Sequence, residues 1–163
     1  MTILLIDDHS QPRQEARKAL EQILTDDIRE FHNATEALAY YTTNPNVDLI
    51  ITDIVMPGMT GIELAQKVLE HKPVPIVLHT GSWARDSLYR LTFNGALDSL
   101  PIEVTNKAYF FATEREYQAS LEEKITRART KAATTTKIDT TPLQDITRRL
   151  QVKDTLVDYI KTI

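Results

Sequence analysis

Cysteine is absent from this chain of 163 residues. That excludes a disulfide framework, a thiolate nucleophile and a thiolate zinc site, although it does not by itself fix the compartment. Long apolar runs are missing too. None approaches the roughly 18 residues needed to cross a bilayer, so a membrane span is not expected. The opening Met1-Thr2, followed at once by Ile3-Leu4-Leu5-Ile6-Asp7-Asp8, lacks the basic flank and the apolar length of a secretory signal. A cytoplasmic location is the expectation. Neither sign of charge dominates, and a net charge of −4 argues against a nucleic-acid coat. What is present, 42% hydrophobic and 26% charged residues, has the proportions of a globular protein. The length suits one ordinary domain and a remainder.

Charge divides the chain unevenly. Residues 1–130 carry 13 basic and 19 acidic side chains, a net −6, whereas residues 131–163 carry 6 and 4, a net +2. Between them Thr134, Thr135, Thr136, Thr140 and Thr141 form a polar stretch without apolar periodicity, followed by Pro142. Such composition reads as linker. The expected division is a domain over 1–130, a threonine-rich linker over 131–142 and a helical extension over 143–163.

Within the first part, Ile3-Leu4-Leu5-Ile6, Leu49-Ile50-Ile51 and Ile76-Val77-Leu78 are continuous apolar runs, the pattern of parallel strands covered on both faces. A weaker strand is expected at Ile28–His32. Helical stripes lie between them: Ala16, Ala19, Leu20, Ile23 and Leu24, then Ala34, Ala37, Leu38 and Tyr41, then Ile62–Leu69. Ala84, Leu88 and Leu91 mark a fourth helix, and Leu121, Ile125 and Ala128 a last one. Strand and helix thus alternate about five times, which right-handed crossovers fold into an α/β doubly wound, five-stranded parallel sheet with a C-terminal helical extension. Ligands of such sheets sit at the carboxyl ends of the strands. Gly58, Gly61 and Gly81 follow those ends, and Gly95 stands where a helix needs a left-handed cap.

The first strand ends in Asp7-Asp8, the third in Asp53 and the fourth in Thr80. Side by side in the sheet, these strands bring the carboxylates and the hydroxyl into one pocket. Like charges about 4 Å apart repel by about 4 kcal/mol at an effective dielectric near 20. A positive partner is therefore required. A hard divalent cation, Mg²⁺ or Mn²⁺, held by a couple of carboxylates and several waters, is the natural one.

These blocks resemble the receiver domain of two-component response regulators (the CheY-like superfamily). The resemblance lies in Ile3–His9, in Asp53-Ile54-Val55-Met56-Pro57-Gly58-Met59-Thr60-Gly61, and in Pro75-Ile76-Val77-Leu78-His79-Thr80-Gly81. It implies a flavodoxin-like strand order of 2-1-3-4-5. It also implies a phosphoryl group taken by Asp53 from a histidine kinase or phosphotransfer protein. Asp8, Asp53 and the Val55 carbonyl would bind Mg²⁺ directly and Asp7 through water. Thr80 would hydrogen-bond the phosphoryl oxygens and draw its loop inward. His9 with Arg13 resembles the branch that usually carries helix-turn-helix outputs. Haloacid-dehalogenase-type phosphatases use a similar strand-end Asp, but they need a second Asp where this chain has Val55.

The resemblance weakens after Gly95-Ala96. Receivers then have a short strand bearing an aromatic residue and a Lys-Pro pair. Without a gap these places fall on Ser99, Ile102 and Glu103, and none fits. An insertion would make Lys107 the lysine, with Tyr109-Phe110-Phe111 starting or following the strand. Alternatively the strand covers Lys107–Ala112, with Tyr109 as the aromatic and Ala112 in the lysine's place. The aromatic run reads most simply as buried strand. His32, His71 and His79 read as structural or solvated, and Trp83 as core or part of a partner-binding face.

In the tail Ile146, Leu150, Val152, Val157 and Ile160 have helix-turn-helix spacing, but about twenty residues lack the third helix that a DNA-reading unit buries against. A helix packing on the receiver or on a second copy, through Leu156, Ile160 and Ile163, is the simpler reading. The expectation is a phosphorylated signalling domain rather than an enzyme. Its output would be contact with an unknown downstream protein, or a homodimer through the fourth-helix face or the C-terminal helix. A phosphorylation-silent pseudo-receiver and a minimal DNA-binding regulator are the alternatives.

Overall fold

The computed structural model describes residues 1–81 and 95–150. Its elements run β1 (Thr2–Ile6), α1 (Ser10–Ile23), β2 (Asp27–Phe31), α2 (Ala34–Thr43), β3 (Val47–Asp53), α3 (Gly61–Leu69), β4 (Ile76–Thr80) and β5 (Ile102–Asn106). A 3₁₀ turn at Ala108–Phe110 and a long helix at Glu114–Thr134 follow. The five strands pair in the order 2-1-3-4-5, all parallel, as expected.

Burial on both faces explains the continuous apolar strands. In β1, Leu4 and Ile6 join a core layer with Ala34, Ala37, Leu64 and Val68 of α2 and α3. Ile3 and Leu5 face the other way, toward Ala16 and Leu20 of α1 and Leu121 and Ile125 of the long helix. Chain entry into the helices is fixed by side-chain caps. Asn33 accepts from the Glu36 amide at 2.8 Å, and Thr60 forms a reciprocal capping box with Glu63. Thr113 accepts from the Glu116 amide at 3.1 Å.

The fifth strand lies at Ile102–Asn106, before Lys107, so the alternative at Lys107–Ala112 is not what the chain adopts. Alternation decides this. Ile102 and Val104 face the layer of α2 and α3, whereas Thr105 bonds Ser120 of the long helix and Glu103 lies against that helix's cations. Glu103 is buried, with Lys131 at 3.0 Å, Arg127 at 3.5 Å and Lys124 at 3.9 Å from its carboxylate. Beyond Lys107 the amides of Phe110 and Phe111 turn back onto the carbonyls of Lys107 and Ala108. Tyr109-Phe110-Phe111 is thus not a buried strand, and Tyr109 is 59% exposed.

The long helix continues to Thr134, four residues into the segment expected as linker. Threonine is tolerated there because its hydroxyls bond back along the helix: Thr130 to the Thr126 carbonyl, Thr134 to Thr130 and Thr135 to Lys131. Residues 141–150 are again helical. Leu143 and Ile146 are buried in the same cluster as Leu97, Leu100 and Ile102, so the described part of the tail packs on the core of the sheet domain. The expected fourth helix (Ala84, Leu88, Leu91), Trp83, and the tail positions Val152, Leu156, Val157, Ile160 and Ile163 lie outside the described residues. Gly95 has φ +77°, as its expected left-handed role requires.

Candidate functional site

Parallel register delivers every expected site residue to one edge of the sheet. Ile6 pairs with Thr52, which sets Asp7 beside Asp53, the last residue of β3. Asp53 pairs in turn with His79, and Thr80 at the end of β4 pairs with Asn106, so Lys107 is the next residue out of β5. The ammonium of Lys107 lies 2.9 Å from Asp7 Oδ2 and 3.3 Å from Asp53 Oδ2. Lys107, the lysine of the insertion reading, thus lies against both carboxylates. Val55 and Thr80 line the same cleft of about 710 Å³, together with Asp8, Asp53 and Lys107.

Each acidic group is held by its own neighbours. Asp7 Oδ1 accepts from the His9 amide at 2.9 Å, and the guanidinium of Arg13 donates to the Asp7 carbonyl at 2.7 Å. Asp53 Oδ1 accepts from the Ile54 amide at 2.8 Å. The carboxylates of Asp7, Asp8 and Asp53, with an imidazole nitrogen of His9, bring ligand atoms within 4.8 Å of one another. Asp7 Oδ2 and Asp8 Oδ1 are buried and accept no well-aligned hydrogen bond. Lys107 Nζ lies 2.9 Å from the first of these oxygens and His9 Nδ1 3.1 Å from the second. Three carboxylates thus face one ammonium. A site with more carboxylates than cations, and with buried carboxylate oxygens that lack aligned donors, fits a hard divalent cation.

Burial pushes the Asp53 carboxyl up to about 6; Lys107 opposes the shift and the Asp7 charge reinforces it. Burial pulls the Lys107 ammonium down, but Asp53 and Asp7 outweigh it and leave its pKa raised. Behind the site, burial lowers His79 to about 4, and the Lys107 charge adds to this. His79 Nε2 lies 2.8 Å from the Tyr117 hydroxyl. Burial raises the Tyr117 phenol, so it stays protonated and shares a hydrogen bond with the neutral imidazole, whose tautomer sets which of the two donates. His79 is thus a satisfied core residue, as its apolar strand suggested.

Close approach, rather than backbone freedom, explains Gly61. A Cβ there would strike the Asp53 carbonyl oxygen and stand 3.0 Å from its carbonyl carbon and 3.2 Å from Ile54 Cα. These are backbone atoms that cannot rotate away. Gly61→Ala should destabilise the fold by about 1–3 kcal/mol, the usual cost of overpacking, and shift the Asp53 backbone. Urea unfolding would measure the loss, and unchanged stability would mean that the loop has slack.

Comparison with known proteins now adds the family. The model of the response regulator receiver domain matches residues 3–106. The chain belongs to that family. Among similar proteins, the chemotaxis protein CheY homolog of Campylobacter jejuni is 36% identical over 83 residues, covering 49% of this chain and 64% of that protein. The rice (Oryza sativa) two-component response regulator ORR6 is 35% identical over 105 residues, 61% of each. The chain spans 14% of a further rice relative, the response regulator-like PRR37. A solved receiver domain from Clostridium thermocellum superposes with a TM-score of 0.57 at 24% identity, covering 79% of this chain and 97% of that one, which speaks for the fold.

Receiver domains are signalling domains of two-component systems and generally not enzymes. They bind Mg²⁺ at an acidic pocket and interact with histidine kinases or phosphotransfer proteins and with downstream proteins. Among the described residues, no helix of this receiver is long and apolar enough to cross a membrane. Tyr109, read from the sequence as part of a strand, instead lines the cleft with its hydroxyl on the Gly81 carbonyl. Its exposure could have been read from the turn that must follow Lys107 once β5 is placed at Ile102–Asn106.

Proposed function

We propose that the chain is a cytoplasmic response regulator that accepts a phosphoryl group on Asp53 from a histidine kinase or phosphotransfer protein. Its output on this reading is contact with a downstream protein. The observation that carries it is the buried Lys107 ammonium, 2.9 Å from Asp7 and 3.3 Å from Asp53, at the wall of a cleft lined by Thr80 and Val55. Asp8, Asp53 and the Val55 carbonyl would hold Mg²⁺ or Mn²⁺, with Asp7 behind a water. Bound there, the ion neutralises charge on the phosphoryl oxygens. Asp53 is the nucleophile: a carboxylate oxygen forms the new O–P bond as the N–P bond of the donor phosphohistidine breaks. The electron pair stays on the imidazole nitrogen, so no proton is needed from the receiver. Lys107 balances the transferred charge, and Thr80 donates its hydroxyl to a phosphoryl oxygen.

The receiver unit is read as residues 1–130 and the terminal segment as an extension serving protein contact, including a homodimer. Burial of Leu143 and Ile146 in the receiver's core favours this over duplex DNA. Incubation with acetyl phosphate and Mg²⁺, followed by intact-mass measurement, should add one phosphoryl group to the wild type and none to Asp53→Asn. A wild type that gains no mass from acetyl phosphate or from a phosphorylated donor protein would make the chain a phosphorylation-silent binding module.

A further inference from the structure

Lys107 and Thr80 stand at the exits of neighbouring strands, and two hydrogen bonds join those exits. The Lys107 amide donates to the Thr80 carbonyl at 2.8 Å, continuing the ladder one step beyond β5. The second bond is not part of any ladder: the Tyr109 phenol donates to the carbonyl of Gly81. Between the two runs the aliphatic stem of Lys107. A Cβ at Gly81 would stand 2.9 Å from Lys107 Cδ and against the Tyr109 hydroxyl, so only glycine lets the ring and the stem come this close. Tyr109 is thus held over the cleft wall although it is 59% exposed, and its ring meets that of Phe110 at a centroid distance of 4.7 Å. An aromatic ring kept at the surface with its polar end used in a specific bond is a fixed amphipathic anchor.

β5 contains no aromatic residue, and three positions before Lys107 stands Val104. Any aromatic connection between the β4 exit and β5 must therefore come from beyond the strand. We propose that Tyr109 is a positioning residue: its bond to Gly81 straps the β4 exit to the β5 exit, so that Thr80 and Lys107 meet the phosphoryl group on Asp53 as one unit. This rests on the phosphoacceptor reading above. The strap matters because Lys107 carries its charge on a flexible four-carbon stem. Confining that stem beforehand removes an ordering cost from the binding step.

The test is titration of the full-length chain, in saturating Mg²⁺, with beryllofluoride as the phosphoryl mimic, bound fluoride being read by ¹⁹F NMR. Tyr109→Phe removes only the hydroxyl and should weaken beryllofluoride about fivefold, the factor that one ordinary hydrogen bond carries. Mg²⁺ affinity, measured separately, should stay within twofold, since Tyr109 supplies no ligand to the carboxylates. Because the strap acts partly through Thr80, the loss in Tyr109→Phe combined with Thr80→Val should be smaller than the product of the separate losses. Equal beryllofluoride affinity in wild type and Tyr109→Phe, fully multiplicative losses, or an equal fall in Mg²⁺ affinity would each overturn the strap. Wild type that takes up Mg²⁺ but no beryllofluoride, or uptake that survives Asp53→Asn, would instead remove the phosphoacceptor reading and the inference with it.

Discussion

Lys107→Met, measured in EDTA near neutral pH, should unfold about 3–5 kcal/mol more easily than the wild type, the cost of removing one partner from a buried charge group. Methionine keeps most of the stem's volume, so the loss reports charge rather than a cavity. Lys107 is 5% exposed and Asp7 1%, and the ammonium lies within 3.3 Å of both Asp7 and Asp53. Without it, three carboxylates share the cleft, and the buried Arg13 guanidinium is engaged by the Asp7 carbonyl and by Glu30 rather than by their oxygens. They can relieve the repulsion only by binding a proton, and that uptake limits the loss. A divalent cation offers the other relief. Mg²⁺ at about a hundred times its dissociation constant should restore about 2.7 kcal/mol, and more Mg²⁺-dependent stability should appear in the variant's melting curve than in the wild type's, where Lys107 repels the ion. Phosphoryl uptake should stay low even when Mg²⁺ has restored the fold. Equal stability of variant and wild type in EDTA would mean that water reaches Asp7 and Asp53 and that the charge crowding described here is absent.

The sheet was legible because its signal is local. Ile3–Ile6, Leu49–Ile51 and Ile76–Leu78 are buried on both faces, and only a parallel sheet between helical layers asks for that. Asp7, Asp8, Asp53 and Thr80 were legible for the same reason, since each follows or ends such a strand. β5 was not. As an edge strand it carries Glu103 and Thr105 on one face, and their burial depends on Lys131, Arg127 and Ser120 of a helix that comes later in the chain. No window around Ile102–Asn106 contains that information, so Lys107 could be placed only by supposing an insertion. The aromatic run 109–111 misled in the opposite sense, since its hydrophobicity reads as strand while the chain is already turning back on the Lys107 carbonyl. The threonine stretch likewise reads as linker until its hydroxyls are seen bonding to carbonyls four residues back.

The pH dependence of stability should be nearly flat between pH 4 and 6 in the metal-free wild type and steep in Asp53→Asn. Asp53 titrates at about 6 in the folded chain, above its ordinary 3.8. Its contribution is therefore present below pH 3.8 and is lost as pH rises through 6; at about 1.4 kcal/mol per pH unit this amounts to about 3 kcal/mol. His79 acts in the reverse sense. Its folded pKa of about 4 lies below the ordinary 6.5. The unfolded chain takes up the proton first, and about 3 kcal/mol of stability, complete above pH 6.5, is lost as pH falls toward 4. The two slopes oppose each other across the shared window. Asparagine at position 53 removes one of them. The variant should gain up to about 3 kcal/mol at pH 7, less whatever Lys107 forfeits with one of its two carboxylate partners, and should then lose stability steadily from pH 6.5 to 4. Urea midpoints taken at half-unit steps in EDTA would show this. A variant with the wild type's flat profile would mean that Asp53 titrates as an exposed carboxyl does. A slope that survives when His79→Gln is added to Asp53→Asn would shift the acid sensitivity away from the buried imidazole.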